Sequence, residues 1–143
     1  MDFETVSAED FGQNLRGIGL NLLVRDVRGT AAFLVSVFGM QAHRLSDDFA
    51  IMTYGSEVFQ LHADHTYGDN PLPSLLPESG ARGGGVELRL YDSDPDEAVE
   101  KARASDAMIL QEPADKPHGL REAYILDQDG YAWVPSRAAA EGS

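Results

Sequence analysis

Apolar residues along the chain follow first the spacing of a strand and then the spacing of a helix. Residues 18–24 are an apolar run of strand length, and residues 27–38 carry apolar side chains at helical spacing. Gly39 follows where a glycine commonly ends a helix. Three further stretches predict strands, at 42–45, 49–54 and 57–62. The pattern predicts a βαβββ unit.

The same order returns in the second half of the chain. Apolar and polar residues alternate over 85–91, which predicts a strand, and Asp94 then suits the N-cap of a helix that begins at Pro95. The two copies align with an offset of 68 residues, which matches Asp26 with Asp94 and Leu20 with Leu88. We interpret this as a tandem repeat of one βαβββ unit.

Turn-forming residues separate the two copies and join the last strands. The turn Asp127-Gln128-Asp129-Gly130 predicts a hairpin, and Trp133 beyond it is predicted to be buried. Before the first unit, Ser7 is predicted to cap a short helix. The predicted divisions are an N-terminal extension, the first unit, a Pro- and Gly-rich linker, the second unit and a flexible tail: 1–16, 17–66, 67–84, 85–136 and 137–143. The 143 residues are expected to form one compact domain overall.

Composition narrows the function classes. The net charge of −13 disfavours nucleic acid and anionic membrane surfaces as partners, because both attract clustered Lys and Arg. The chain has no cysteine, which excludes disulfides and thiolate metal sites. No apolar run reaches the length of a membrane span, and the acidic N-terminus does not resemble a secretory signal. We therefore expect an acidic cytoplasmic protein.

The repeat resembles the vicinal oxygen chelate superfamily, which includes glyoxalases, bleomycin-resistance proteins and extradiol dioxygenases. The stretches that carry the resemblance are NLLVRDVRGTAAFLVSVFGM, GVELRLYDSDPDEAVEKA and ILDQDGYAWV. The resemblance implies an α+β fold, in which two tandem βαβββ units form a curved mixed sheet around a cleft with the helices on the convex side. It also implies a homodimer.

In metal-dependent members of that superfamily, four strand positions hold the ligands, commonly His and Glu. Carried over to this sequence, those positions are Gly19, Gln60, Glu87 and Val134. Glycine and valine offer no side-chain donor, and one carboxylate is a poor site for a divalent ion. The resemblance therefore implies a metal-free, ligand-binding member, and no cofactor is expected, with a divalent metal as the alternative.

Strand alternation predicts which side chains face the cleft. Polar or aromatic side chains that would converge there are candidates for ligand binding, with Arg121 at the rim: Asn21, Gln60, Arg89, Tyr91 and Arg121. Arg89 suits a carboxylate or phosphate group of a ligand, whereas an ion pair between Glu87 and Arg89 is the structural alternative.

Two chemical alternatives involve histidine. His62, oriented by Glu87, could act as a general base. His62, His65 and His118 could instead form a non-standard site for zinc or iron. The sequence thus predicts a glyoxalase- or bleomycin-resistance-like protein that binds a small molecule in the cleft between the units. The alternative is a lyase or dioxygenase-like enzyme that uses the histidine metal site or the His/Glu pair.

Overall fold

The computed structural model of the chain describes residues 1–140. The chain folds into two compact units. The first unit comprises Met1–Val35 and Gly39–Leu75, and the second comprises Ser36–Phe38 and the chain from Leu76 onward. The boundary after Leu75 lies within the segment that the sequence predicts as a linker.

The first unit holds a four-stranded mixed sheet, which we call sheet A. Its order is β1-β4-β3-β2, with β1 parallel to β4 and the other pairs antiparallel. The elements are α1 (Ala8–Asn14), β1 (Asn21–Val24), α2 (Val27–Phe38), β2 (Gln41–His43), β3 (Phe49–Tyr54) and β4 (Glu57–Ala63), followed by 3₁₀ turns at Asp64–Tyr67 and Leu72–Leu75.

The second unit repeats this topology in sheet B. Its order is β5-β8-β7-β6, with β5 parallel to β8 and the other pairs antiparallel. The elements are β5 (Glu87–Tyr91), α3 (Pro95–Ala104), β6 (Met108–Asp115), β7 (Leu120–Leu126) and β8 (Ala132–Ala138). The predicted α+β class and the tandem βαβββ units are confirmed, and neither sheet closes into a barrel.

Aspartates cap the two repeat-related helices, as the sequence predicts for Asp94 and as the 68-residue offset implies for Asp26. The Asp26 carboxylate accepts a hydrogen bond from the Gly29 amide at 2.9 Å, and the Asp94 carboxylate accepts one from the Asp96 amide at 3.0 Å. Gly39 ends α2 with a φ of 70°, a left-handed conformation that costs a glycine little. The shorter α1 begins after Ser7, whose hydroxyl accepts from the Asp10 amide at 3.0 Å.

Each unit buries one face of its sheet together with a helix. In the first unit, Leu22, Val24 and Leu61 are buried, as are Ala31 and Leu34 of α2. In the second unit, α3 packs against β6, β7 and β8, and its buried residues, Ala98, Val99 and Ala102, follow helical spacing. Trp133 is buried as predicted.

Two strands of the second unit are longer than their local sequence suggests. Strand β6 runs to Asp115 and includes Pro113, although proline disfavours the interior of a strand. Because β6 is the edge strand of sheet B, a proline there is tolerated, and two irregularities in its pairing with β7 accommodate the segment. Strand β8 continues through Ala138, so the first residues of the predicted tail pair with β7. The remainder of that tail includes residues 141–143, which lie outside the described part.

None of the helices in residues 1–140 is both long and apolar enough to cross a membrane.

Candidate functional site

Three of the predicted ligand-binding and catalytic residues lie together on sheet A. Gln60 is paired with Asn21 of β1, and His62 is two residues further along β4 on the same face. Ile51 and Phe49 of β3 lie opposite Gln60 and His62 in the register. Because directly paired residues share one face of a sheet, these side chains form a continuous surface across three strands.

Short-range contacts fix the orientation of His62. Its Nε2 lies 2.9 Å from Gln60 Oε1, a hydrogen bond between side chains two residues apart on one strand. The rings of Phe49 and Tyr67 lie with centroids 5.1 and 5.3 Å from the imidazole. Asn21 Nδ2 in turn donates to the Tyr67 hydroxyl at 3.3 Å, so Tyr67 connects Asn21 to His62.

The environment of His62 favours the uncharged imidazole. The ring is half-buried, and burial lowers the pKa of His62 below its ordinary value of 6.5 because the charged form loses hydration. At neutral pH the ring is therefore a hydrogen-bonding group without charge, and it offers one donor nitrogen and one acceptor nitrogen.

A cavity of about 370 Å³ lies over this surface. We call it the α1 pocket, because helix α1 and the residues beside it form one wall, and sheet A and Arg44 form the other. The helix-side wall consists of Val6, Ala8, Phe11, Gly12 and Leu15. The sheet-side wall consists of Arg44, Phe49, Ile51, Gln60 and His62.

The N-terminal segment is tied to the end of β2, which keeps this wall in place. The Glu4 carboxylate accepts a hydrogen bond from the Arg44 amide at 3.1 Å, and the Arg44 guanidinium donates to the Val6 carbonyl. Phe3 and Phe11 pack edge to face with ring centroids 6.0 Å apart, and Phe11 is buried. The extension at 1–16 is thus part of the first unit and builds half of the pocket.

A second group of predicted residues lies together on sheet B around Arg89. Its guanidinium donates to Glu122, to Ser136 Oγ at 3.1 Å and to Glu87 Oε1 at 3.2 Å. The Arg89 Nε donates to the Tyr91 hydroxyl at 3.2 Å. The hydrogen bond to Glu122 raises the pKa of Arg89 above its usual high value. The Arg89 guanidinium therefore already has two carboxylate partners, Glu122 and Glu87. Its pairing with Glu87 is the structural alternative to ligand binding that the sequence left open.

Glu87 has a second partner in this group, Tyr124. The Tyr124 hydroxyl donates to Glu87 Oε1, and this hydrogen bond raises the pKa of Tyr124. Glu87 is thus held by Arg89 and Tyr124 in the second unit, while Gln60 orients His62 in the first.

Arg121 lies apart from the other candidates. Its guanidinium binds the Asp96 carboxylate through two hydrogen bonds of 2.8 Å, and it lies 3.2 Å from Asp115. The hydrogen bonds from Arg121 lower the pKa of Asp96, near the start of α3. Because Arg121 precedes Glu122 on β7, it points to the face opposite the Arg89 group.

The histidines proposed as an alternative metal site have different partners. His65 Nε2 lies 2.8 Å from Asp48, with its side chain 70% exposed, and His118 Nε2 lies 3.7 Å from Glu122 in the second unit. Within residues 1–140, no three or more His, Cys, Asp or Glu side chains are grouped as a metal ion would require.

Several residues of these groups have no clear signal in the sequence. Tyr67 lies in the predicted linker, and Phe11 belongs to a segment that we interpreted only as an extension. Glu122 follows Arg121 in a polar stretch, but its side chain is only 4% exposed. Phe49 is the exception. Strand alternation, combined with the antiparallel register of β3 and β4, would have placed it beside His62.

Comparison with known proteins agrees with this architecture. The family model described as Glyoxalase/Bleomycin resistance protein/Dioxygenase superfamily matches residues 18–134. No curated protein matches the chain.

Solved structures extend the similarity to nearly the whole chain. A glyoxalase/bleomycin resistance protein/dioxygenase family enzyme from Burkholderia phytofirmans PsJN is 22% identical with a TM-score of 0.71, over 84% of this chain and 96% of its own. A glyoxalase-related enzyme from Fulvimarina pelagi is 19% identical with a TM-score of 0.69, over 90% and 96%. A glyoxalase/bleomycin resistance protein/dioxygenase from Nocardioides is 21% identical with a TM-score of 0.64, over 94% and 93%. At these identities the likeness shows the fold alone.

Proposed function

The chain belongs to the glyoxalase/bleomycin resistance protein/dioxygenase superfamily, and from that premise we propose that it binds a small organic molecule without a metal cofactor. The observation that carries this proposal is the α1 pocket, in which Gln60 and His62 meet an otherwise largely apolar lining. Ligand pockets in proteins are typically apolar cavities of about 300–1,000 Å³ with a few convergent polar groups, and this pocket has both properties.

The donor chemistry supports a metal-independent role. Two of the four positions that hold ligands in metal-dependent relatives are Gly19 and Val134, which have no donor atoms in their side chains. At the other two, Gln60 is bonded to His62, and Glu87 to Arg89 and Tyr124. These residues do not fit a catalytic divalent ion, which needs about three protein ligands.

Elemental analysis tests this part of the proposal. Protein purified without added metal, and again after soaking with zinc, iron, manganese and nickel, is expected to retain much less than one ion per chain. One tightly held ion per chain would contradict it. Loss of that ion in His65→Asn would then indicate the alternative histidine set.

A pocket-filling substitution tests the binding site itself. Gly12 lines the pocket, and a Cβ atom added there meets nothing within 4 Å, so a larger side chain enters open space. We expect Gly12→Leu to fold and to lose the thermal stabilisation that small aromatic probes give the native protein. Gly12→Ala is the matched control, because it changes the helix propensity of α1 in the same direction but fills little of the pocket.

A second candidate function is an enzyme in which His62 removes a proton from the bound molecule. The uncharged, half-buried imidazole with an orienting partner favours this alternative. Mass spectrometry of a bound compound after long incubation separates the two functions. Return of the compound unchanged supports a binding protein, whereas conversion that is lost in His62→Asn supports an enzyme.

We also propose that the protein is a homodimer. Ile18 and Val86, which the repeat relates, are exposed beside the strands β1 and β5 at the edges of their sheets. Exposed apolar side chains next to an edge strand favour association with another chain.

A further inference from the structure

The hydrogen-bond pattern on the floor of the α1 pocket defines what a ligand there must offer. Gln60 Oε1 can only accept a hydrogen bond, so the His62 Nε2 that lies 2.9 Å from it carries the proton. In the uncharged ring, Nδ1 is then an acceptor. No hydrogen-bond donor from residues 1–140 reaches this nitrogen, and it is therefore available to a ligand.

Gln60 offers the complementary group. Its side-chain oxygen is bonded to His62, and its amide nitrogen has two N–H groups that no acceptor within residues 1–140 engages. A ligand hydroxyl can donate to His62 Nδ1, while the Gln60 amide lies at the other ring nitrogen and can donate only to a separate acceptor of the ligand.

The walls of the pocket favour an aromatic body. Phe11 lies on the helix-side wall, and Phe49 lies on the sheet-side wall beside the His62 ring. Flat rings pack well against such surfaces in offset or edge-to-face arrangements. Alanine, valine, leucine and isoleucine side chains complete the lining.

The charges at the pocket disfavour an ionised ligand. No carboxylate lines the pocket, so a cation has no counter-charge there. Arg44 is the one ionised side chain among the lining residues, and its guanidinium is exposed and donates to the Val6 carbonyl. An anion on the floor of the pocket would meet the unprotonated Nδ1 of His62, which accepts a hydrogen bond and has none to donate.

We propose that the ligand of the α1 pocket is an uncharged aromatic molecule with a hydroxyl group, which binds between α1 and sheet A with its hydroxyl donating to His62 Nδ1. This inference rests on the proposed function, and it adds the chemical class of the ligand and the part that the N-terminal segment has in holding it. His62 selects the hydroxyl, Gln60 holds His62 in the required tautomer, and Phe11 and Phe49 hold the ring.

Three matched probes test the ligand class by calorimetric titration of the full chain at pH 7.5. The probe 2-naphthol can donate and accept, 2-methoxynaphthalene can only accept, and 2-naphthoate is an anion. We expect 2-naphthol to bind about tenfold more tightly than 2-methoxynaphthalene, the size of one buried hydrogen bond. The naphthoate is expected to bind more weakly than 2-naphthol.

Two variants test whether His62 causes the difference in affinity between 2-naphthol and 2-methoxynaphthalene. In His62→Phe, the aromatic volume is kept and the acceptor is lost, so the preference for 2-naphthol over 2-methoxynaphthalene should disappear while the methoxy compound binds as before. His65→Phe is the control, since His65 is exposed outside the pocket and should leave both affinities unchanged.

The outcomes separate the inference from the proposed function. Equal affinities for 2-naphthol and 2-methoxynaphthalene, or tighter binding of 2-naphthoate, would overturn the hydroxyl-bearing neutral ligand while leaving the pocket as the binding site. Failure of all three probes to bind, or binding that Gly12→Leu does not weaken, would reject the pocket and with it the proposed function.

Discussion

The imidazole of His62 shows how one side chain's surroundings decide its chemistry. Gln60 fixes which ring nitrogen carries the proton, and burial lowers the pKa of the ring. An exposed histidine beside a carboxylate would be partly charged near neutral pH. At the same pH, His62 is expected to be uncharged and to accept a hydrogen bond from a ligand.

We predict that the affinity for 2-naphthol is constant from pH 8 to pH 7 and falls as the pH drops below 6.5, through the lowered pKa of His62. Protonation removes the acceptor at Nδ1, so binding and protonation compete. Calorimetric titrations across this range measure the effect. The affinity of 2-methoxynaphthalene should not follow the same curve, and parallel curves for the two probes would contradict the assignment.

The lowered pKa of His62 also makes the free energy of unfolding depend on pH. His62 binds a proton less readily in the folded chain than in the unfolded chain, whose pKa is near 6.5. The unfolded state therefore takes up more protons as the pH falls below 6.5, and the free energy of unfolding decreases there. More than about one pH unit above 6.5 both states are uncharged at this residue, and it contributes no pH dependence.

Arg89 and Glu122 form a pair in which one partner is almost completely buried. We predict that Arg89→Met lowers the free energy of unfolding by about 2–4 kcal/mol, because it leaves the Glu122 carboxylate buried without its cation. Adding Glu122→Gln should recover much of that loss. Chemical denaturation of Arg89→Met, Glu122→Gln and the double variant measures the three values, and a loss in the double variant equal to the sum of the single losses would show that the residues are not coupled.

At the level of helices and strands, the paired caps provide a test of the repeat. We predict that Asp26→Ala and Asp94→Ala each lower the free energy of unfolding by about 1 kcal/mol, because each removes a hydrogen bond at the start of a helix. Asp26→Asn and Asp94→Asn are matched controls and should lose only a few tenths of a kcal/mol, since asparagine caps helices well. A loss confined to one helix would show that the aspartates are not equivalent.

These elements also show what local sequence can and cannot predict. Asp26, Asp94 and Gly39 have local roles that depend on a few neighbours, so the sequence predicted them. Strand β6 continues past Pro113 because it is an edge strand, and that depends on the sheet order rather than on the residues around the proline. The Asp127-Gln128-Asp129-Gly130 turn was predicted, but the burial of both aspartates was not. Asp127 accepts hydrogen bonds from two backbone amides and from the Trp133 indole, contacts that only the folded turn brings together.

At the scale of the whole chain, the repeat made the α+β class predictable, but not the pocket. Asn21, Gln60 and His62 were grouped from strand alternation alone, whereas Phe11 and Gly12 come from a segment outside the repeat. No periodicity relates an N-terminal extension to the sheet that it covers, so its place had to come from tertiary packing. The same holds for the ion pair of Arg121 with Asp96 on α3, which lies 25 residues earlier in the sequence.

Association of whole chains is testable at two repeat-related positions. We predict that sedimentation velocity finds a dimer, and that Ile18→Asp or Val86→Asp shifts it towards monomer, because each places a charge where we propose that an apolar contact forms. Leu75→Asp is the control, since Leu75 is also exposed but lies in the 3₁₀ turn Leu72–Leu75, and not just before an edge strand as Ile18 and Val86 do. A native protein that sediments as a monomer would exclude the proposed dimer.

Trp133 is the chain's one tryptophan, and it belongs to the second unit, whereas the α1 pocket belongs to the first. The intrinsic fluorescence of the protein, excited at the red edge of its absorption, therefore reports on the second unit alone. If a ligand in the α1 pocket raises the temperature at which this emission changes, the two units unfold as one cooperative structure. If the emission changes at the same temperature with and without the ligand, the second unit unfolds independently of the first. One natural chromophore thus makes the thermodynamic coupling of the two repeats measurable without a label.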